Sequence, residues 1–155
     1  MENQNVLDSR LIEKFEIHRD FTRVFLDAFV LINKEHKVLK FNAAFCQIVE
    51  LRSIDIRRID NLKEMLLTSL PGSDKSAIDQ LLESNSPTRI DEVPAVNVTN
   101  RKNLTLIISS YPYYESDGKM LGACLLLRDV TAETNLQSKY KDKSIQSITD
   151  PLTGL

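Results

Sequence analysis

Residues 103–131 read NLTLIISSYPYYESDGKMLGACLLLRDVT and carry the strongest structural signal in the chain. Apolar and polar side chains alternate over residues 103–113, which predicts a half-buried strand. Asp117-Gly118 is the strongest short signal for a hairpin turn. Residues 120–128 form an almost continuous apolar run, which predicts a central strand that is buried on both faces. We therefore expect an antiparallel pair at the centre of a sheet, with Asp129-Val130-Thr131 at its exit.

The segments before this pair predict a mixed α+β fold. Two short apolar runs at residues 28–32 and 38–41, joined by a polar turn, indicate a hairpin. Asn42 is a good N-cap for a helix that follows it. Short helices are predicted over residues 54–70 and, capped by Ser73 or Asp74, over residues 75–83. A strand over residues 90–98 contains Pro94, which favours a sheet edge or a bulge.

The first long segment, residues 6–26, predicts an amphipathic helix with an unusually wide apolar side. Charged residues recur at helical spacing on one face, and two apolar rows occupy the other. One reading is a helix packed only on its own sheet. We favour a helix shared between its own sheet and a second subunit, because so wide an arc needs two partners. The residues predicted to form this homodimer contact are Leu11, Phe15, His18, Phe21 and Phe25.

Composition excludes several classes of protein. The length of 155 residues fits one domain with helical extensions, and the net charge of −2 offers no field that would attract nucleic acid. No apolar run approaches the roughly 20 residues that span a bilayer. No signal peptide is readable, and the two cysteines do not form a disulfide framework. We therefore expect a cytoplasmic protein with no membrane span and no nucleic-acid partner.

Several short motifs resemble those of the PAS family of sensory domains. They are Asn42-Ala43-Ala44-Phe45, Pro112, Asp117-Gly118, Gly122 and Arg128-Asp129-Val130-Thr131. The resemblance implies an antiparallel five-stranded sheet of order 2-1-5-4-3 with short helices on one face. It divides the chain into an N-terminal helix (1–27), a PAS domain (28–131) and a signalling helix (132–149).

The last six residues, DPLTGL at 150–155, resemble the Asp-x-Leu-Thr-x-Leu motif that opens GGDEF domains, the diguanylate cyclase family. The resemblance implies that this chain dimerises and controls a downstream domain that makes cyclic di-GMP. Residues expected to transfer the signal are Asp129, Thr131, Asp150, Leu152 and Thr153. Thr131 is predicted to cap the signalling helix, and Asp129 to pair with a basic side chain or with backbone amides.

No catalytic constellation, phosphate-binding loop or metal cluster can be assembled from the sequence, so we expect no enzyme activity, no metal and no cofactor in this chain. A lone His18 does not make a metal site, and His36 lies in a polar turn that predicts exposure to solvent. An unidentified small molecule could occupy the space between sheet and helices; a filled core is the alternative. The candidate lining residues are Phe45, Ile48, Val49, Leu66, Leu81, Leu106, Ile108 and Leu126, with polar contacts from Ser109 and Ser110.

Three other functions stay open from the sequence. The chain could be a dimerisation scaffold that binds no ligand, or a haem or flavin redox sensor. It could also regulate a degenerate GGDEF domain or a phosphodiesterase.

Overall fold

The structure is a computed structural model that describes residues 3–17, 27–84 and 86–136. Its helices are α1 (Gln4–Ile17), α2 (Ala43–Val49), α3 (Ser53–Ile59), α4 (Ala77–Glu83) and α5 (residues 131–136), with a 3-10 turn at Leu62–Glu64. Its strands are β1 (Ala28–Asn33), β2 (Val38–Phe41), β3 (Leu66–Thr68), β4 (Thr88–Asn97), β5 (Asn103–Tyr114) and β6 (Met120–Asp129). Among these residues, no helix combines the length and apolar character that a membrane crossing requires.

The strands form one antiparallel sheet of order β2-β1-β6-β5-β4-β3. The predicted α+β class and the order of the five expected strands are confirmed. The strand count of five is corrected to six, because Leu66–Thr68 was predicted as helical and instead pairs with the end of β4, Leu66 opposite Asn97. Three residues are too few to show a strand period, and pairing with β4 satisfies backbone groups that would otherwise lack partners.

Local signals explain most element boundaries. The Asn42 side chain caps α2 by accepting a hydrogen bond from the Phe45 amide at 3.1 Å, as predicted. Gly118 has φ +90° in the β5–β6 turn, a conformation that glycine adopts without steric cost. The sequence favoured a sheet edge or a bulge at Pro94, and the register of β4 shifts between Ile90 and Val93, just before it. The cap of α4 is Ser76, not Ser73 or Asp74.

Apolar side chains pack on both faces of the sheet. The larger layer lies between the sheet and helices α2, α3 and α4, and receives Ala123, Leu125 and Leu127 from β6. The smaller layer lies under α1 and contains Leu11, Phe15, Leu31, Leu121, Cys124 and Leu126. This arrangement explains the continuous apolar run of β6, because side chains on both faces of the strand enter an apolar layer.

Gly122 allows β6 to approach β1 and α1 closely. A Cβ atom at this position would collide with the carbonyl oxygen of Ile32 and lie 2.7 Å from Leu11 Cδ2 and 2.9 Å from Asn33 Cα. The neighbouring atoms are backbone or tightly packed side chain, so they cannot yield without moving β1 or α1.

We therefore expect Gly122→Ala to lower the free energy of unfolding by about 1–3 kcal/mol, the usual range for overpacking a core. Urea unfolding followed by circular dichroism measures the change. A value within about 0.5 kcal/mol of the parent, which is typical of surface substitutions, would contradict this close approach.

Candidate functional site

The predicted ligand-lining residues mostly meet in the layer between the sheet and the short helices. Phe45, Val49, Leu66, Leu81, Leu106 and Ile108 are buried there, and Ile48 packs against its margin. They come from α2, β3, α4 and β5, which converge on one face of the sheet. These side chains therefore share one compartment.

Side chains fill this compartment. Phe45, Leu81, Leu106 and Ile108 are each 0% exposed. A side chain with no accessible surface borders neither solvent nor an internal void large enough for a water molecule. Among the described residues, the arrangement is thus a packed core, the alternative weighed from the sequence, rather than a lined cavity.

Leu126 and Ser109 do not belong to this compartment. They pair with each other across β6 and β5 and lie on the opposite face, where Leu126 packs in the layer under α1. Adjacent residues of a strand point to opposite faces, so Ser109 and Ser110 cannot both face the same compartment. Ser110 is 1% exposed, and its Oγ has no hydrogen-bond partner within the described ranges. Of the two serines, Ser110 is the one that faces the packed core.

Hydrogen bonds join the exit of β6 to β5. The Thr131 hydroxyl accepts a hydrogen bond from the Thr105 amide at 2.9 Å. The Val130 amide donates to the Thr105 carbonyl at 2.9 Å. Asp129 accepts from both the amide and the hydroxyl of Thr131. Among the described residues, the hydroxyl bonds to β5 and to Asp129. The sequence predicted a bond to an amide in the first turn of the helix instead.

The Asn42 side chain forms hydrogen bonds with both the start of β1 and the start of α2. Its Oδ1 accepts from the Phe29 amide at 3.0 Å in addition to the Phe45 amide, and its Nδ2 donates to the Asp27 carbonyl at 3.2 Å. The Asp27 carboxylate lies 3.3 Å from Arg128 Nε at the end of β6. The sequence indicated only the helix cap, because the second partner becomes a neighbour only when the hairpin forms.

The predicted dimer residues divide into two groups. Leu11 and Phe15 are buried against the sheet of their own protomer, with the Phe15 ring 5.2 Å from the Phe29 ring. His18, Phe21 and Phe25 lie outside the described residues, as do the predicted signal-transfer residues Asp150, Leu152 and Thr153. On the outer side of α1, Ile17 is 77% exposed. Leu11 and Phe15 thus pack inside their own protomer. A dimer contact through α1 stays a prediction.

His36 is buried rather than solvated, so the expectation from the polar turn is wrong. It is 6% exposed, and its Nε2 lies 2.8 Å from an Asp79 carboxylate oxygen on α4. Burial, with the positive charge of Lys63, lowers the pKa of His36 below its ordinary value despite the attraction of Asp79. No local signal could have predicted this, because α4 lies more than 40 residues further along the chain.

Comparison with known proteins supports the fold. No family model matches the chain, and no curated protein matches its sequence. A light-oxygen-voltage domain studied with a flavin analogue aligns with TM-score 0.59 at 10% identity, over 82% of this chain and 93% of that one. A PAS domain from Colwellia psychrerythraea aligns with TM-score 0.51 at 13% identity, over 76% and 98%. The PAS domain of nitrogen regulation protein NR(II) from Vibrio parahaemolyticus aligns with TM-score 0.50 at 16% identity, over 66% and 87%. The fold is PAS-like.

We expect Thr131→Ala to lower the free energy of unfolding by about 1–2 kcal/mol, because it leaves the Thr105 amide without its acceptor. Thr131→Ser is the matched control, since it keeps the hydroxyl and removes only a methyl group. Urea unfolding of both variants makes the comparison. Equal stability of the alanine and serine variants would show that this hydrogen bond contributes nothing.

Proposed function

We propose that this chain is a sensory PAS domain that regulates a diguanylate cyclase domain in the same polypeptide. The proposal rests on the two hydrogen bonds that join Val130 and Thr131 to Thr105. Because Thr131, the first residue of α5, and Val130 before it are bonded to β5, a shift of the sheet displaces the start of the helix that leaves it. The PAS-like fold and the GGDEF-like motif at 150–155 agree with this direction of signalling.

Regulation of a diguanylate cyclase needs two copies of the chain. The enzyme family joins two GTP molecules, one held by each subunit, so the relative position of the subunits controls the rate. A regulatory domain that moves two helices with respect to each other gates the reaction without contacting GTP. The exposed side of α1 is the surface that we assign to the homodimer, since its opposite side is occupied by the sheet.

A second candidate function is a dimerisation scaffold without a ligand, and the filled core favours it. The light-oxygen-voltage neighbour is described with a flavin analogue. In this chain the equivalent space between sheet and helices is occupied by fully buried side chains such as Phe45 and Leu106. A ring system of flavin or haem size would have to displace several of them. Signals would then reach the domain through a partner or through its surface.

The function is tested on the polypeptide in which residues 1–155 precede their natural downstream sequence. Incubated with GTP and magnesium, it should form cyclic di-GMP, measured by chromatography, whereas residues 1–155 alone should form none. Thr131→Ala should change the rate or its regulation relative to Thr131→Ser. Absence of product from the long polypeptide, or identical rates and regulation for the two variants, would contradict the proposal.

The dimer surface is tested by Ile17→Glu, with Ile54→Glu as matched control. Ile17 lies on the exposed side of α1, and Ile54 is 65% exposed on α3, away from the proposed contact. Burying a charge in an apolar interface is strongly unfavourable, so Ile17→Glu should convert a dimer to a monomer in analytical ultracentrifugation with unchanged circular dichroism. Ile54→Glu should stay dimeric. Dimers of both variants at micromolar concentration would place the contact elsewhere.

A further inference from the structure

The turn between β1 and β2, residues 33–37, contacts the helices on both faces of the sheet. Asn33 organises it: its Oδ1 accepts from the amides of Glu35 at 2.9 Å and Lys37 at 3.0 Å. The Nδ2 of the same side chain donates to Asp8 Oδ1 on α1 at 3.1 Å. One amide group thus holds both the shape of the turn and its contact with α1.

The contact with α1 is buried. Asp8 is 6% exposed and Asn33 is 1% exposed, and Asp8 also accepts from Gln4 Nε2 at 2.7 Å. Loss of a hydrogen bond at a buried carboxylate leaves a desolvated acceptor without a partner, which is costly. The docking of α1 therefore depends on the position of Asn33.

The contact with the other face is made by His36. Its Nε2 bonds to Asp79 on α4 at 2.8 Å, and the Leu62 amide of the 3-10 turn donates to the His36 carbonyl at 2.8 Å. Lys63 Nζ lies 3.2 Å from the same Asp79 carboxylate. The His36 backbone has φ +69°, a left-handed conformation that is uncommon for residues other than glycine.

We propose that the β1–β2 turn is a proton-responsive coupling in which protonation of His36 opens the turn and releases α1 from the sheet. This inference goes beyond the proposed function and does not require a downstream domain.

The chemistry of the His36 imidazole determines how the stability of the closed turn changes with pH. At neutral pH Nε2 carries the proton that is donated to Asp79, and Nδ1 is buried with no hydrogen-bond partner in the described part of the chain. Protonation adds an N–H at Nδ1, and a buried donor without an acceptor is unfavourable. Burial and the positive charge of Lys63 oppose the new charge, while Asp79 and Glu35 favour it, and the balance lowers the pKa of His36. The closed turn is therefore most stable above the ordinary pKa of histidine and loses stability as the pH falls through it.

Opening of the β1–β2 turn affects the docking of α1 through Asn33. His36 donates its backbone amide to the Asn33 carbonyl, and the neighbouring amides of Glu35 and Lys37 are held by the Asn33 side chain. Movement of His36 toward water breaks this arrangement and withdraws the Asn33 amide from Asp8. The helix then retains its apolar contacts and the ion pair between Arg10 and Glu115.

Cys124 reports the release of α1. It is 2% exposed in the layer under α1, and burial raises its pKa to about 12. The other cysteine, Cys46, is partly exposed and is removed by Cys46→Ser. In this background the 155-residue chain is labelled with 4,4′-dithiodipyridine, and each rate is divided by that of glutathione at the same pH. The ratio should rise about tenfold between about pH 7.5 and pH 5, because protonation of His36 disfavours the closed turn.

Two variants at position 36 test the origin of the response. His36→Gln keeps a donor for Asp79 but does not titrate, and His36→Asn suits the left-handed backbone. Both should show a ratio that is constant with pH. A tenfold rise that persists in either folded variant would overturn the proposal, because a group other than His36 would then be responsible.

Asp8→Ala tests the link to α1. It removes the acceptor of Asn33, so the Cys124 ratio should be high at every pH while the protein stays folded by circular dichroism. A ratio that remains low at pH 7.5, or a labelling rate in the parent equal to the global unfolding rate extrapolated from urea, would refute a local release of α1. Retained pH dependence in Asp8→Ala would do the same.

Discussion

Strand β6 is buried on both faces, and the positions of the other elements depend on it. It pairs with β1 on one side and β5 on the other, and its alternate side chains enter the layers under α1 and under α2–α4. A strand in this position needs apolar residues throughout, because neither face meets water. It also needs Gly122, because β1 and α1 approach the strand where a methyl group would collide.

Polar contacts at the two ends of the sheet position different helices. At one end β1 begins and β6 ends, and Asn42, Asp27 and Arg128 join them beside the first residues of α5. At the other end the β1–β2 turn holds α1 through Asn33 and α4 through His36. Both ends share β1 and β6, so a change at the turn has a continuous hydrogen-bonded path to the exit. The apolar layers supply most of the stability, and these few polar contacts set where each helix begins and docks.

The packed core bears on the sensory function that we propose. Fully buried side chains such as Phe45 and Leu106 fill the interior within the described residues, so the inputs that we propose are surface contacts, a partner chain or protons. The buried polar atoms support this view, since His36 Nδ1 and Ser110 Oγ lack partners in the described ranges while the surrounding side chains are tightly packed. Such groups respond to small movements, because a gained or lost hydrogen bond in a dry interior carries a large energy.

Local patterns in the sequence were sufficient for the class of fold, the cap at Asn42 and the residues of the packed core. These features depend on the period of apolar residues and on turn chemistry, which neighbouring residues express directly. The spatial order of the five main strands was implied by the resemblance to PAS domains and not by these patterns. Three features needed the folded chain: strand β3, the side of the sheet on which Leu126 and Ser109 lie, and the partners of Thr131 and His36. Each depends on residues distant in sequence, such as Asp79 beside His36 or Thr105 beside Thr131. A one-residue difference in register exchanges the two faces of a strand, and a polar turn is buried only when a helix packs over it. The face on which a strand's side chains lie and the burial of a turn therefore depend on tertiary packing, and no single segment of the chain specifies them.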